Sequence, residues 1–513
     1  MGKLTNIRLR SRIYMVASLS AATVVGSNLL AAPVTLASNP VYTGPVNIPR
    51  FLSGLKAINY YPSANAWDYM WTNWNATQFN SDMATLAAMN ANSVRIIVRT
   101  STFGYPTPSQ AMLNELSAAI SDAYNNGLTV DLSLFDGWSS YTDISGSETW
   151  ASDVLSSYKN DARIAYIDLK SELNTTNSSA DTWAETVLPY VRNITGYIPL
   201  TVSAGSTANL STQVADNFPV DFYELHFYSR AGLAYSTFSQ AQSIVNGKPL
   251  YIGETGYSTY PQNTFYPGVD QGQTSQEAQQ ELYLRTVYYA AKNLGLPAPR
   301  WWIYSDFTQT AVPSGVFTYS ADPTQYYYGL YRTDGSAKPA QSTLSSILNG
   351  GPISTAFNNG FETSDGNGLP TDWGLWQNSG KGYTATFAQD CTTAHTGSCS
   401  AKISNATSSS SGSPGYYLEP VQYIVPGHSY TATAYAKGTN STGTVLVTLS
   451  WFDSNSNYIS NTSSSSLPTG STRWTRLTET ANAPSNAAYV EIHLSTTTNT
   501  GSVWFDDVTF TAN

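Results

Sequence analysis

The 513-residue chain contains only two cysteines and four histidines, and their placement excludes much chemistry. Cys391 and Cys399 lie close together late in the chain, and only His226 precedes residue 390. The first 390 residues therefore hold no cysteine nucleophile and no His-rich zinc site. Charge is also scarce. Asp, Glu, Lys and Arg make up 11% of the chain, against roughly 25% in typical soluble proteins. No basic cluster follows the N-terminal segment, so neither nucleic acid nor anionic lipid is an expected partner. Beyond residue 40 no apolar run is long enough to span a bilayer. Polarity comes instead from Ser, Thr, Asn, Gln and Tyr. Such a surface gains little net charge as carboxylates protonate, which predicts tolerance of acid.

The N-terminal segment "MGKLTNIRLRSRIYMVASLSAATVVGSNLLAAPVTLASNP" has a basic start (Lys3, Arg8, Arg10, Arg12), an apolar middle and a small-residue end. It reads as a secretory signal peptide over residues 1–37, cut after about Ala37. Its removal leaves 20 basic and 34 acidic residues, a net charge near −14. In an exported chain the two cysteines read as one local disulfide, Cys391–Cys399. The expected protein is a secreted monomer, free of the membrane after cleavage.

From about residue 50, short Val/Ile/Leu/Tyr-rich runs alternate with amphipathic stretches. Eight runs read as strands: "LKAINYYP", "SVRIIVRT", "TVDLSLFDGW", "IAYIDLKSE", "PLTVSAG", "VDFYELHFYS", "PLYIGETGY" and "RWWIYSDF". "SDMATLAAMNA" and "QAMLNELSAAISDAYNNG" read as helices, the second stopped by Gly127. Eight β-then-α units over about 300 residues predict a (β/α)₈ TIM barrel spanning 38–350. From residue 351 to 513 the pattern changes to short alternating runs, among them "GTVLVTLSWFD" and "AAYVEIHLS". These predict an all-β jelly-roll sandwich.

Functional groups of such barrels sit where strands end at the C-terminal face. The fourth strand runs out into Glu172 and the seventh into Glu254. Two carboxyl groups facing each other across one mouth suit glycoside cleavage. One donates a proton to the leaving oxygen and the other meets the anomeric carbon. Glu172 is then expected to have the higher pKa of the pair. Arg95, on the second strand, is expected beside Glu254, where a guanidinium lowers a carboxyl pKa. Asp168, Lys170 and Glu224 read as a buried ion-pair network. Trp302, and Trp138 with Asp136, are expected in the cleft.

"AYIDLKSELN" followed by "PLYIGETGYS" resembles glycoside hydrolase clan A, especially the cellulase-like family 5. The likeness extends over about residues 50–348. It takes in "NYYP" with Asn59, "SVRIIV", "LFDGW", "HFY", "WWIYSDF" and "YGLYRTDGSAKPA". The resemblance implies Glu172 as acid/base and Glu254 as nucleophile of a retaining β-glycosidase without a catalytic cofactor. It implies Arg95 and Tyr228 as partners of the nucleophile, His226 as a substrate-binding or acid-tuning residue, Trp302 as a sugar platform, and Asn59 in a supporting role. One position departs from the family. Ser171 stands where an asparagine usually bonds the sugar 2-hydroxyl. A β-glucan or β-mannan type of substrate is favoured. The alternatives are a glycan-binding or envelope-associated protein with impaired turnover, and a transglycosylase using the same pair.

"FNNGFET", "LPTDWGLW" and "VWFDDVTF" resemble carbohydrate-binding jelly-roll modules. That resemblance implies a structural calcium near Glu362 and Asp506. Trp373, Trp376, Tyr383 and Trp451 are the candidate sugar-stacking aromatics.

Overall fold

The computed structural model describes residues 39–261, 276–350, 358–409, 412–418, 422–453 and 457–513. The predicted signal segment and the predicted start of the second domain at residue 351 lie outside them. Seven apolar runs form strands: β1 (Ala57–Asn59), β2 (Ser93–Ile97), β3 (Thr129–Ser133), β4 (Ile164–Asp168), β5 (Leu200–Thr201, resumed at Ser203–Ala204), β6 (Tyr223–Phe227) and β7 (Leu250–Thr255). Each pairs in parallel with the next.

The eighth predicted strand is irregular. Trp301 alone bridges Thr255 on one side and Ile58 on the other. The Trp302 amide donates to the Thr255 carbonyl at 2.7 Å, and the Tyr304 amide to that of Asn59 at 3.0 Å. These contacts close the ring. Beyond Trp302 the backbone is shared with another segment, because the Ile303 amide donates to Tyr328 and that of Asp306 to Tyr331.

Helices pack around the ring, as a parallel sheet buried on both faces requires. Both predicted helices are present, Ala76–Ala88 and Gln110–Asn125. Their N-cap side chains, Asn75 and Ser109, accept from the Gln78 and Met112 amides. Gly127 follows the second helix at φ +83°, a conformation that suits glycine. Helix Ile48–Gly54 contributes Leu52 to a cluster with Tyr166, Phe222 and Tyr251. No helix among the described residues is long and apolar enough to cross a membrane.

The second half is an antiparallel sandwich. One sheet runs in the order Thr384–Asp390, Ser400–Thr407, Asn499–Ala512, Ser429–Thr439, Thr475–Asn482. The other runs Tyr458–Ser463, Val445–Phe452, Tyr489–Thr496, Gly415–Leu418, Trp373–Trp376, with Gln422–Tyr423 also pairing with Tyr489–Thr496. Alternating residues fill the core, including Phe361, Trp373, Tyr416, Trp451 and Phe505. Cys391 and Cys399 are disulfide-bonded.

Candidate active site

Inside the barrel, charge is stacked in layers. Deepest lies Arg300, fully buried, 3.0 Å from Asp131 and 2.6 Å from Glu224. Above it Arg95, 1% exposed, donates to Glu254 Oε2 at 2.5 Å, to Ser171 Oγ at 3.0 Å and to Asn59 Oδ1 at 3.2 Å. It also lies 3.3 Å from Asp168. Asp168 in turn accepts from Ser133 Oγ at 2.8 Å and the Ser203 amide at 3.0 Å. Buried ions persist only when paired in this way.

Two local devices bring the glutamates to the mouth. Between β6 and β7 the register slips. Leu225 pairs with Ile252 but His226 pairs with Glu254, so Gly253 is the extra residue of a bulge. Bulges re-aim the side chain that follows. Glu172 arrives differently. β4 ends at Asp168, and Glu172 sits four residues later in a left-handed turn at φ +50°, its amide donating to Ser203 Oγ at 2.9 Å. A non-glycine residue in that region is held there by its surroundings. The predicted alternation of Asp168, Lys170 and Glu172 along one strand face therefore breaks after Asp168. Lys170 is buried but has no carboxylate within ion-pair distance among the described residues, contrary to the expected network.

At the mouth, Tyr228 donates its hydroxyl to Glu254 Oε1 at 2.8 Å, so both Glu254 oxygens accept hydrogen bonds. His226 Nδ1 lies 3.0 Å from Glu172 Oε1 and 3.8 Å from Glu254 Oε2, and its Nε2 is 3.5 Å from Glu224 Oε1. Ligand atoms of Glu172, His226 and Glu254 all lie within 4.8 Å of one another. Burial disfavours a charged His226, but the charge of Glu254 and the bonds to Glu172 and Glu224 outweigh it, pushing the imidazole up to about 10. Burial raises the Glu172 carboxyl, yet the hydrogen bond and charge of His226, aided by Arg95 and Lys170, hold it below its ordinary value. Glu172 is thus lowered, where its role as the acid predicts it raised.

A cleft of about 530 Å³ opens over the pair, lined by the expected Asp136, Ser171, Tyr228 and Trp302. It is also lined by Trp67, which follows the first predicted strand end, and by Asp322, Thr324, Gln325 and Tyr328, which the strand-end reading missed. Four of these five belong to "DPTQYYYG", far beyond the last strand end; its density of tyrosine was the only signal. Among the described residues no lysine, arginine or histidine lines the cleft, though His226 stands directly behind Glu172.

The arrangement is a carboxyl pair over a buried guanidinium at the C-terminal face of a closed barrel. A family model for glycosyl hydrolase family 5, cellulase, matches residues 57–302, and one for a carbohydrate-binding domain matches residues 354–500. The barrel is a glycosyl hydrolase family 5 domain.

No curated protein sequence matches the chain. Among solved structures, the hydrolase is similar to the exo-beta-1,4-mannosidase Op5Man5 from Opitutaceae bacterium strain TAV5, at 18% identity and TM-score 0.46. That match covers 57% of this chain and 59% of that one, so the chain spans less than two thirds of it. It is also similar to a GH5_18 protein from Streptomyces cattleya in complex with Manb1-4GlcNAc (13% identity, 57% and 80% covered, TM-score 0.47). A GH5_18 from Bifidobacterium longum subsp. infantis is similar at 14% identity, with 62% and 84% covered and TM-score 0.46.

Two expected residues sit elsewhere in the hydrolase. Trp138 does not line the cleft; its ring packs 4.3 Å from that of Tyr105 and beside Phe135. Asn59 is buried, taking a hydrogen bond from Arg95 and giving one to the Trp301 carbonyl at 3.1 Å, so it supports Arg95 from below. Trp67 faces the cleft, whereas Trp71 is buried and donates to the Ile97 carbonyl.

In the carbohydrate-binding sandwich, Trp373, Tyr383 and Trp451 are buried, while Trp376 is 46% exposed. Trp376 lies 5.9 Å from the His493 ring, itself 6.0 Å from Tyr417. Tyr417 lies flat over Gly374, where a Cβ would come within 2.3 Å of its ring.

Glu362 and Asp506 converge on Gly360, whose Cβ position would be 3.9 Å from an oxygen of each. Burial pushes fully buried Asp506 up to about 6 despite amide hydrogen bonds from His395 and Thr396. The Asp507 amide donates to its other oxygen at 2.8 Å and the Ser398 and Cys399 amides donate to Glu362, so backbone amides meet both carboxylates, whose oxygens are of the kind a hard cation such as calcium takes.

Proposed function

We propose that the hydrolase cleaves a neutral β-linked polysaccharide or oligosaccharide, of β-glucan or β-mannan type, by double displacement with retention. The supporting observation is the spacing of the pair, whose nearest oxygens lie within 4.8 Å. Retaining pairs stand about 5–5.5 Å apart, and inverting pairs about 6.5–9.5 Å to admit a water. Glu254 attacks the anomeric carbon. Arg95 and Tyr228 each hold one of its oxygens, keeping it aimed at the ring. Glu172 protonates the leaving oxygen, then takes a proton from the water that resolves the intermediate.

The depressed Glu172 carboxyl agrees with this cycle, because its side chain is 48% exposed to the cleft. A sugar seated on Trp302 would shield Glu172 from solvent, and desolvation raises the carboxyl just when a proton is needed. A cleft whose described lining includes Asp136, Glu172, Glu254 and Asp322 is poorly matched to an anionic uronic sugar. Ser171 Oγ is already engaged by Arg95, so less of the usual hydrogen bonding at the sugar 2-position is available here.

The sandwich is proposed to hold the polymer on the Trp376, Tyr417 and His493 face. A calcium ion bound by Glu362 and Asp506 would supply charge compensation between the sandwich's first and last segments, with no part in hydrolysis. Secretion as a monomer completes the reading. Incubating the protein and its Glu254→Ala variant with a panel of glucans, mannans, xylans and aryl β-glycosides tests it. Wild type should release products, and the variant should bind the same sugar without cleaving it. Absence of hydrolysis across the panel defeats the proposal.

A further inference from the structure

His226 is clamped between carboxylates from three strand ends: Glu172 after β4, Glu224 two residues earlier on its own β6, and Glu254 on β7. Its Nδ1 faces Glu172, and its Nε2, buried and without a hydrogen-bond partner, has Glu224 Oε1 at ion-pair distance, 3.5 Å. A neutral imidazole carries one N–H and one lone pair. Either tautomer would turn a lone pair toward a carboxylate oxygen. Only the doubly protonated ring satisfies both sides.

Glu224 has no access to the cleft. It is fully buried, with Arg300 Nη2 at 2.6 Å beneath it. Its carboxyl also occupies the space where a side chain at Gly253 would stand, since a Cβ there would lie 1.7 Å from Glu224 Oε1. The bulge glycine that re-aims Glu254 thus also makes room for the acid beneath His226.

We propose that Glu224 is a positioning residue for the proton donor. It faces His226 from below, keeps a proton on both ring nitrogens, and thereby holds an N–H against Glu172, with Gly253 providing the space. The inference rests on Glu172 as the acid. Arg300 restrains Glu224 and Arg95 pairs with Glu254, so each of these carboxylates divides its charge between a guanidinium and the imidazolium, while Glu172 has only the imidazolium within ion-pair distance.

With four histidines in the chain, ¹⁵N-histidine NMR of the full protein from pH 6 to 10 reads the ring directly, His226 being assigned from a His226→Asn sample. Wild-type His226 should remain doubly protonated at pH 8. In Glu224→Gln it should lose a proton at least one pH unit earlier than in wild type. Because Glu172 titrates far below the pH at which His226 loses its proton in either protein, the alkaline limb of kcat/KM should hold its place while kcat falls with KM little changed, the N–H being less firmly held against Glu172. Gly253→Ala should shift both readouts in the same direction, and Glu224→Asp should fall between wild type and Glu224→Gln. A singly protonated His226 in the wild type at pH 7 overturns the proposal without needing any variant. So does an unmoved His226 titration in a Glu224→Gln protein whose other three histidine signals are unchanged. Hydrolysis by wild type and its loss in Glu254→Ala judge the catalytic pair separately.

Discussion

The barrel and the sandwich bury different things. Beneath the barrel mouth lie Arg95, Asp131, Asp168, Glu224, His226, Glu254 and Arg300, all at most 8% exposed. Among the described residues of the sandwich, Asp506 is the only charged side chain buried, and the remainder of its core is largely apolar and aromatic. Burying ions is costly and is retained where they are paired and used. The barrel's working groups are therefore interior charges aimed at one cleft. The sandwich can act only through what its sheets expose. Substitutions should separate accordingly, turnover lost in one region and polymer binding in the other.

The largest effect should come from Glu254→Ala. Its kcat should drop by about 10⁴-fold or more, while calorimetry still detects sugar binding in the cleft. Glu172→Gln should cost about 10²–10⁴-fold on natural glycosides, and less on aryl glycosides whose leaving groups need little proton assistance. Neither change should alter adsorption to insoluble polysaccharide.

The sandwich offers a sharper contrast between two tryptophans. Trp451→Ala removes a buried ring and should destabilise that domain by about 3–5 kcal/mol, seen as an early calorimetric transition. Trp376→Ala should leave melting unchanged but weaken polysaccharide adsorption by about tenfold, the loss of one stacking contact. Chelation should lower the sandwich transition and leave hydrolysis of small soluble substrates intact.

The smallest effect is a tilt of stability with pH. Burial pushes Asp131, Asp306 and Asp506 up to about 6, so the folded chain binds protons more tightly than the unfolded one and gains stability as pH falls from about 6 toward 4. His226, raised to about 10, contributes fully below about 6.5 and loses that contribution as pH climbs toward 10. Glu224, lowered to about 2 by Arg300 and His226 against its burial, opposes this only below about 4.5. Chemical denaturation at a series of pH values should therefore peak in mild acid. A maximum above pH 7 would contradict these shifts.

The parallel barrel, the sandwich and the convergence of Glu172, Glu254 and Arg95 could be read from period-two and strand-end patterns, because those patterns record burial directly, whereas His226 and Tyr228 were expected at the site through the family resemblance. What could not be read depended on contacts distant in sequence. The left-handed turn at Glu172 needs Ser203 from the next strand. The irregular eighth strand needs Tyr328 and Tyr331. The exchange of Trp138 for Trp67 in the cleft follows from Tyr105 capturing the former. Lys170 appeared paired only while strand alternation was assumed to run on to Glu172.

The stereochemistry of the first-formed product tests the central claim most directly. Proton NMR during the first minutes of hydrolysis of a β-glycoside, before mutarotation, should show the β-anomer at the new reducing end, as retention by carboxylates this close requires. Initial appearance of the α-anomer would mean that water attacks directly, and the assignment of Glu254 as nucleophile would fail.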